Sequence, residues 1–546
     1  MSSEEIASTT VHAEMPQAAA QVSAPVAAEA EPAKAAAKER ASWRVIVLCI
    51  LIANTGLFHG YDNGVVSEVF NMPSFRNMMG WPAQDDANVA LEKGFAVNGF
   101  NIGAGIAAIL CGHLIVDRHG RKPALLLGSL LFAVGGLMQT AALSSITLIL
   151  GRLVAGIGVG ITSCAGPAYI AEVAPASARG ALVGLYQSNI CLAILVASVL
   201  NYFDGTAPAG WRWSLAVQIL LGVSTAIGLL FVGDTPRFLE SVGRSDEALK
   251  ILTSLRHGDE EIAKKELAGV QAEIEEERQT GSASWAELVT NPYFRNVVLL
   301  GCCVQFLQIM TGINAMVSFG GTLFNTLGVS GFLSTIAPSV FFILGNTIGS
   351  FGLVDRVGRR PLLIWGMLGM AITMLVGGFV ALNAATDIDN DGNEIVSAVA
   401  GYTIIAMVMG YMFSFGISWG FGAWLYISEI MPLRVRGKAV GLCTGVNWGP
   451  ANVISAFVTP AMIAGPMGPS GTLLFFGGIS MLTVPFALLC LPETKGLTLE
   501  QLTPMFRFSS MAEFGRFCRG NCRTGDGMGD GRPAKGQKMP RTCVDL

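Results

Sequence analysis

The stretch Gly56-Leu57-Phe58-His59-Gly60-Tyr61-Asp62-Asn63-Gly64-Val65-Val66 sets a carboxylate, Asp62, inside a strongly apolar run long enough to cross a bilayer. An ionisable side chain at that depth costs about 2.5–3.5 kcal/mol on insertion scales, so Asp62 must face a polar interior and have a partner. The sequence offers Arg152, in Leu150-Gly151-Arg152-Leu153-Val154. No other strongly apolar run of the N-terminal half carries a basic residue so far from its ends.

The rest of the chain fits a membrane protein. Its 546 residues are 52% hydrophobic and only 14% charged, with a mean hydropathy of +0.53, far from the balance of soluble domains. The net charge of -4 comes without any basic stripe interleaved with aromatics, which argues against a nucleic-acid partner. Cys49, Cys111, Cys164, Cys191, Cys302, Cys303, Cys443 and Cys490 lie in apolar runs, where thiols behave as small hydrophobes. Cys518, Cys522 and Cys543 lack the paired spacing of a zinc site. Neither a disulfide framework nor a metal or other cofactor is expected.

About twelve runs have membrane-spanning length, in two sets of six. The first set is 43–66, 94–116, 123–143, 146–170, 181–202 and 213–232; the second is 296–320, 333–354, 361–382, 400–425, 439–463 and 472–491. The expected fold is an all-α membrane protein of two six-helix bundles, 41–233 and 296–491, joined by a cytosolic helical linker, 234–295. Residues 1–40 read as disordered and are no signal peptide, because the first apolar run begins only near Trp43; 492–546 forms a cytoplasmic tail. Loops rich in Lys and Arg stay in the cytoplasm. Arg118, Arg121, Lys122, Arg179, Arg356, Arg359, Arg360, Arg434, Arg436 and Lys438 fall in alternate loops, which puts both termini there.

The halves repeat each other. Gly112-His113-Leu114-Ile115-Val116-Asp117-Arg118-His119-Gly120-Arg121-Lys122 is answered by Gly352-Leu353-Val354-Asp355-Arg356-Val357-Gly358-Arg359-Arg360. Ala171-Glu172-Val173-Ala174-Pro175, followed by Arg179-Gly180, is answered by Ser428-Glu429-Ile430-Met431-Pro432, followed by Arg436-Gly437. Such duplication marks transporters with a site near the midplane.

With Gly60-Tyr61-Asp62, Gly151-Arg152, Pro167-Ala168-Tyr169-Ile170-Ala171-Glu172, Thr235-Pro236-Arg237-Phe238-Leu239, Thr311-Gly312-Ile313-Asn314-Ala315 and Pro492-Glu493-Thr494-Lys495-Gly496, the chain resembles the major facilitator superfamily. Within it the resemblance is to the sugar porter family, over nearly all of 43–496. The resemblance implies the major facilitator fold and a proton/monosaccharide symporter, for a hexose, that works by alternating access. It gives Asp62 and Arg152 the proton-coupling role, since an acid at that place in span one accompanies proton symport. A carboxylate's proton affinity depends on the distance to a neighbouring guanidinium, so a change in this pair could switch protonation.

A sugar is a ring of hydroxyls over an apolar face, so its site needs amides and an aromatic wall. Gln187, Gln308, Asn314 and Asn447, with Trp424 and Trp448, match the family's sugar contacts. Asp117, Arg121, Glu172, Arg179, Asp355, Arg359, Glu429 and Arg436 make a cytoplasmic gate, in which charge networks hold the helix ends together. Alone, each amide is equally an inter-helix bond, and each loop charge a solvated helix end.

The sequence also departs from the family. Ile309 replaces a second glutamine, Ser318-Phe319 an aromatic pair, Phe421 a proline and His59 a phenylalanine, and Asn346 is the nearest candidate for an asparagine of span eight. The outer loop 69–92 has no cysteine for the disulfide-linked lid of plant monosaccharide symporters. Asp387-Ile388-Asp389-Asn390-Asp391-Gly392 resembles the start of a calcium loop but has Ala398 where a glutamate is needed. Gly156-Ile157-Gly158-Val159-Gly160 reads as close helix packing rather than a nucleotide loop. Three further readings stay open: a facilitative uniporter, a polyol or inositol carrier, and a non-transporting sugar sensor. No metal-ligand helix, placed nucleophile or phosphate loop suggests an enzyme. The plasma membrane is the default location, with a vacuolar or plastid membrane as the alternative.

Overall fold

The computed structural model describes residues 42–81, 87–111, 115–175, 178–204, 207–280, 284–320, 323–324, 332–384, 386–388 and 394–495. Among the described residues, eleven helices are long and apolar enough to cross a membrane. Spans one to six are Trp43–Val69, Asn88–Leu110, Arg121–Thr140, Ser145–Val173, Ala181–Asp204 and Gly210–Leu230. Spans seven to ten are Pro292–Val317, Ser334–Val357, Arg359–Leu382 and Val399–Ile430, and span twelve is Gly468–Cys490. Span eleven is helical throughout, in consecutive pieces Arg436–Val446, Asn447–Ala451 and Asn452–Ala464 of which the middle one is a π turn. Arg436, Lys438, Asn447 and Asn452 keep its hydropathy low.

Within the first half, span four packs on spans two and three, span three on span six, and span one on span five. Within the second, span nine packs on spans ten and twelve, and span eight on span ten. The halves meet along two seams, span five against span eight and span two against span eleven. The stretch around Asp62 is fixed by a glycine stripe. Gly56, Gly60 and Gly64, one turn apart, face Tyr186, Ile190 and Ile194 of span five, and a methyl on Gly60 would strike the Ile190 carbonyl. Small residues at this spacing let two membrane helices approach to backbone contact.

Most span ends differ from the hydropathy reading by a few residues, as at the start of span two and the end of span ten. Span two begins before residue 94 because Glu92 and Lys93, which end the apolar run, lie inside the helix. The Lys93 ammonium sits 6.0 Å over the Phe70 ring and 5.8 Å over the Trp81 ring, and Glu92 accepts bonds from Trp81 and Ser145, 2.8 Å each. Span ten runs past Leu425 to Ile430. Between spans nine and ten, Thr386–Ile388 pairs antiparallel with Glu394–Val396, the only strands among the described residues. The acidic turn 389–393 and its calcium reading lie outside the described residues, as do 1–41 and 496–546.

The linker is helical over Pro236–Ser241, Ser245–Leu255, Glu260–Thr280 and Trp285–Thr290. It is tied to both halves. Arg256 pairs with Glu266 at 2.7 Å and donates to the Val173 carbonyl at the end of span four, while Glu287 pairs with Arg434 at 3.0 Å.

Candidate functional site

Asp62 and Arg152 meet. Their Oδ2 and Nη2 atoms are 3.0 Å apart and the side chains are 0% and 1% exposed, an ion pair sealed inside the first half. Two further contacts hold the guanidinium: Nε donates to the Ala96 carbonyl of span two at 2.6 Å, and the group lies 5.4 Å over the Phe100 ring. Asp62 has fewer supports. The Gln139 amide stands beside its carboxyl and donates to Gln218 of span six at 3.0 Å. Arg152 is therefore fastened to the scaffold without Asp62, whereas Asp62 rides on span one.

One turn before Asp62, His59 meets Trp448 of span eleven edge-on, with centroids 4.5 Å apart. Trp448 also meets Phe100 at 5.8 Å. This corner joins the two halves and leads into a cluster of buried amides in the second half. The Asn447 amide donates to the side-chain oxygens of Gln305 at 2.8 Å and Gln308 at 2.9 Å. Gln308 donates to the carbonyls of Trp419, 2.7 Å, and Gly420, 3.2 Å. Asn452 donates to the Asn447 carbonyl, and Asn314 to Asn452, both at 2.6 Å. Local backbone irregularities aim these groups. Gly312, at φ 98°, interrupts span seven just before Asn314, and π turns at Gly416–Gly420 and Asn447–Ala451 present the Trp419 carbonyl and Asn447. Such turns recur at functional sites. The Trp448 Nε1 and Gln305 Nε2 donors are buried and find no acceptor among the described residues.

Of the six residues matched to sugar contacts, Gln308, Asn314, Asn447 and Trp448 gather at this corner and Trp424 packs half-buried against the core. Gln187 stands in span five with its amide toward Cys191, 3.9 Å away on the same helix. Asn346, fully buried, donates to Ser188 across the seam between spans eight and five at 3.0 Å. Gln305, Trp419 and Asn452 escape the sequence reading. The motif spacing offers no position for Gln305, and only the π turn brings Asn452 round to Asn447.

At the other end of the bundle, Arg121 clasps Glu172 at 2.7 Å and Arg359 clasps Glu429 at 2.8 Å, each within its own half. Arg359 also reaches Asp355 at 3.2 Å, and Arg436 donates to the Met431 carbonyl at 3.4 Å. The side chains of Asp117 and Arg179 lie outside the described residues. Two acids not singled out from the sequence complete the arrangement. Asp234 accepts from the Arg121 and Thr235 backbone N–H groups at 3.1 and 2.8 Å, and Glu493 accepts from those of Arg359 and Arg360 at 2.9 and 3.1 Å. They cap spans three and nine, just after Gly120 (φ 99°) and Gly358 (φ 102°), where a carboxylate also meets the positive end of the helix dipole.

A sequence profile described as "Sugar (and other) transporter" matches residues 48–506. A low-affinity glucose transporter of Kluyveromyces lactis is 31% identical over 476 residues, 85% of this chain and 82% of its own. The low-affinity glucose transporter HXT3 of Saccharomyces cerevisiae is 33% identical over 479 residues, 85% and 82%. Among solved structures, the proton:xylose symporter XylE bound to 6-bromo-6-deoxy-D-glucose superposes with a TM-score of 0.71 at 27% identity, covering 85% of this chain and 99% of that one. A partially occluded inward-open form of XylE from E. coli gives 0.70 at 25%, covering 84% and 100%.

Proposed function

The chain belongs to the sugar transporter family of the major facilitator superfamily, and we propose that it is a proton-coupled monosaccharide symporter, taking a hexose such as glucose by alternating access. The observation that carries this reading is the sealed Asp62–Arg152 pair. An ion pair at such depth is costly, and intramembrane charges of this kind mark proton relays. Relatives named as glucose transporters favour a hexose, and a structural neighbour named as a proton symporter favours coupling.

Facing outward, Asp62 takes a proton and its attraction to Arg152 falls away. Arg152 keeps its bonds to Ala96 and Phe100, so span one is the element released. Its movement reaches Trp448 through His59 and so alters the wall of the amide cluster, where the donors of Gln305 and Trp448 await sugar oxygens. Facing inward, Asp62 returns the proton and pairs again. A membrane potential supplies about 2.3 kcal/mol per charge for each 100 mV, enough to drive accumulation. The reading includes the plasma membrane, with both termini in the cytoplasm.

The test is labelled-glucose uptake in cells lacking their own hexose carriers, with wild type and Asp62→Asn compared across external pH and with a protonophore. Accumulation that needs the gradient and disappears in the variant supports the symporter. Uptake that only equilibrates, indifferent to pH and to the variant, makes the protein a uniporter with a static ion pair.

A further inference from the structure

Two turns outward of Asp62 on the same helix stands a second carboxylate, Glu68, with no hydrogen-bond or ion-pair partner among the described residues. It lines a narrow cleft between the halves, together with the hydroxyls of Ser67, Ser198, Ser334, Thr335 and Ser339 from spans one, five and eight. The cleft leaves about 30 Å³ for water centres, room for about two waters and far too little for a hexose. The Ser198 and Ser339 hydroxyls bridge the halves across it at 3.1 Å.

The rest of the lining is apolar, with Ile194, Met316, Phe324 and Met412, so the cleft offers a single carboxylate, five hydroxyls and no basic side chain, which suits a small cation or a hydrated proton. Tyr61 and Asp62 on the same helix, Arg76 of the outer helix Pro73–Met79, and Lys93, Arg152, Asp204 and Tyr411 of spans two, four, five and ten all lie outside its lining. Lys93 is turned onto Phe70 and Trp81 and Arg152 onto Asp62, so neither cation is spent on Glu68. The five hydroxyls can each accept and donate, which is what a proton needs to pass along water.

We propose that Glu68 and these hydroxyls form an outer proton-loading site that supplies Asp62. A hydronium gives its proton to a Glu68 oxygen and leaves as water. Glu68 then gives the proton to water of the cleft and returns to a carboxylate, and in the outward-facing state, when the seal around the ion pair opens, that water passes it to Asp62 about 9 Å further along the helix. The proposal rests on the proton-coupled reading above.

The test measures glucose uptake against external pH at clamped membrane potential for wild type, Glu68→Gln and Glu68→Asp. Glu68→Gln should need about tenfold more external protons for half-maximal uptake yet approach the wild-type rate at saturating acidity, and Glu68→Asp should restore most of the profile. If Glu68→Gln does not reach the surface, Ser198→Ala combined with Ser339→Ala must give the same shift. An unchanged profile in Glu68→Gln overturns the loading site while wild-type coupling stands, and so does uptake that follows external sodium rather than pH. A loss at every pH that Glu68→Asp does not rescue makes Glu68 structural. A wild type that never accumulates sugar against a gradient removes both this site and the symporter.

Discussion

Asp62 and Arg152 are unequal partners, and the inequality is measurable. Arg152→Ala leaves a carboxylate buried without its counter-ion, a loss of about 3–5 kcal/mol. Asp62→Asn leaves an arginine still bonded to the Ala96 carbonyl and lying over Phe100. In detergent, the melting temperature should therefore fall further for Arg152→Ala than for Asp62→Asn. His59→Ala removes the contact with Trp448 and should lower the sugar-to-proton ratio more than it lowers exchange of sugar across the membrane, whereas an aromatic at 59 should keep both. The ion pair was legible in the sequence because a charge in an apolar run has few innocent explanations. The amides were legible only in part. At 3.6 residues per turn, residues 447 and 452 lie about 140° apart around an ideal helix, so no reading at regular pitch joins them. The π turn does, with an Asn452 to Asn447 bond of 2.6 Å.

The same limit applies to elements. Hydropathy located the apolar helices to within a few residues but had no way to weigh a lysine roofed by two aromatic rings, as at the start of span two. The break in span seven follows from Gly312, whose φ of 98° suits glycine and whose missing side chain makes room for Phe476. Gly312→Ala should weaken sugar binding by shifting Asn314, readable as a raised KM with a smaller change in kcat. Span one depends on the Gly56, Gly60 and Gly64 stripe. Gly60→Val should drive spans one and five apart and cost several °C of thermal stability together with proton coupling, because Asp62 is carried on the displaced helix. Gly243→Ala in the linker, where φ is 80° but nothing lies within 4 Å, should leave coupling unaffected.

Across the whole molecule, the internal repeat visible in the sequence reappears as two matching clamps, Arg121–Glu172 with Asp234 and Arg359–Glu429 with Glu493. The repeated loops gave the arginines and glutamates; the capping acids were hidden because they come from segments distant in the chain. The clamps differ at the second oxygen of the glutamate. Thr494 donates to Glu429 at 2.5 Å, while Oε2 of Glu172 is buried without a partner among the described residues. Asp234→Asn and Glu493→Gln sit in separate halves and share no partner, so their stability losses, each about 1 kcal/mol, should add in the double variant to within about 0.5 kcal/mol in chemical denaturation.

The amide cluster bears on the half of the cycle in which nothing is carried. Asn314, Asn452, Asn447 and Gln308 are bonded within the cluster, and of Gln305 only the Nε2 donor is left without an acceptor among the described residues. An unloaded carrier must still close over its own midplane to reset, and isolated polar groups there would make that step slow. On the proposed reading, the amides act as a dummy passenger: bonded largely within the cluster, they let the empty protein travel home, and only a solute that replaces their bonds in kind takes the seat.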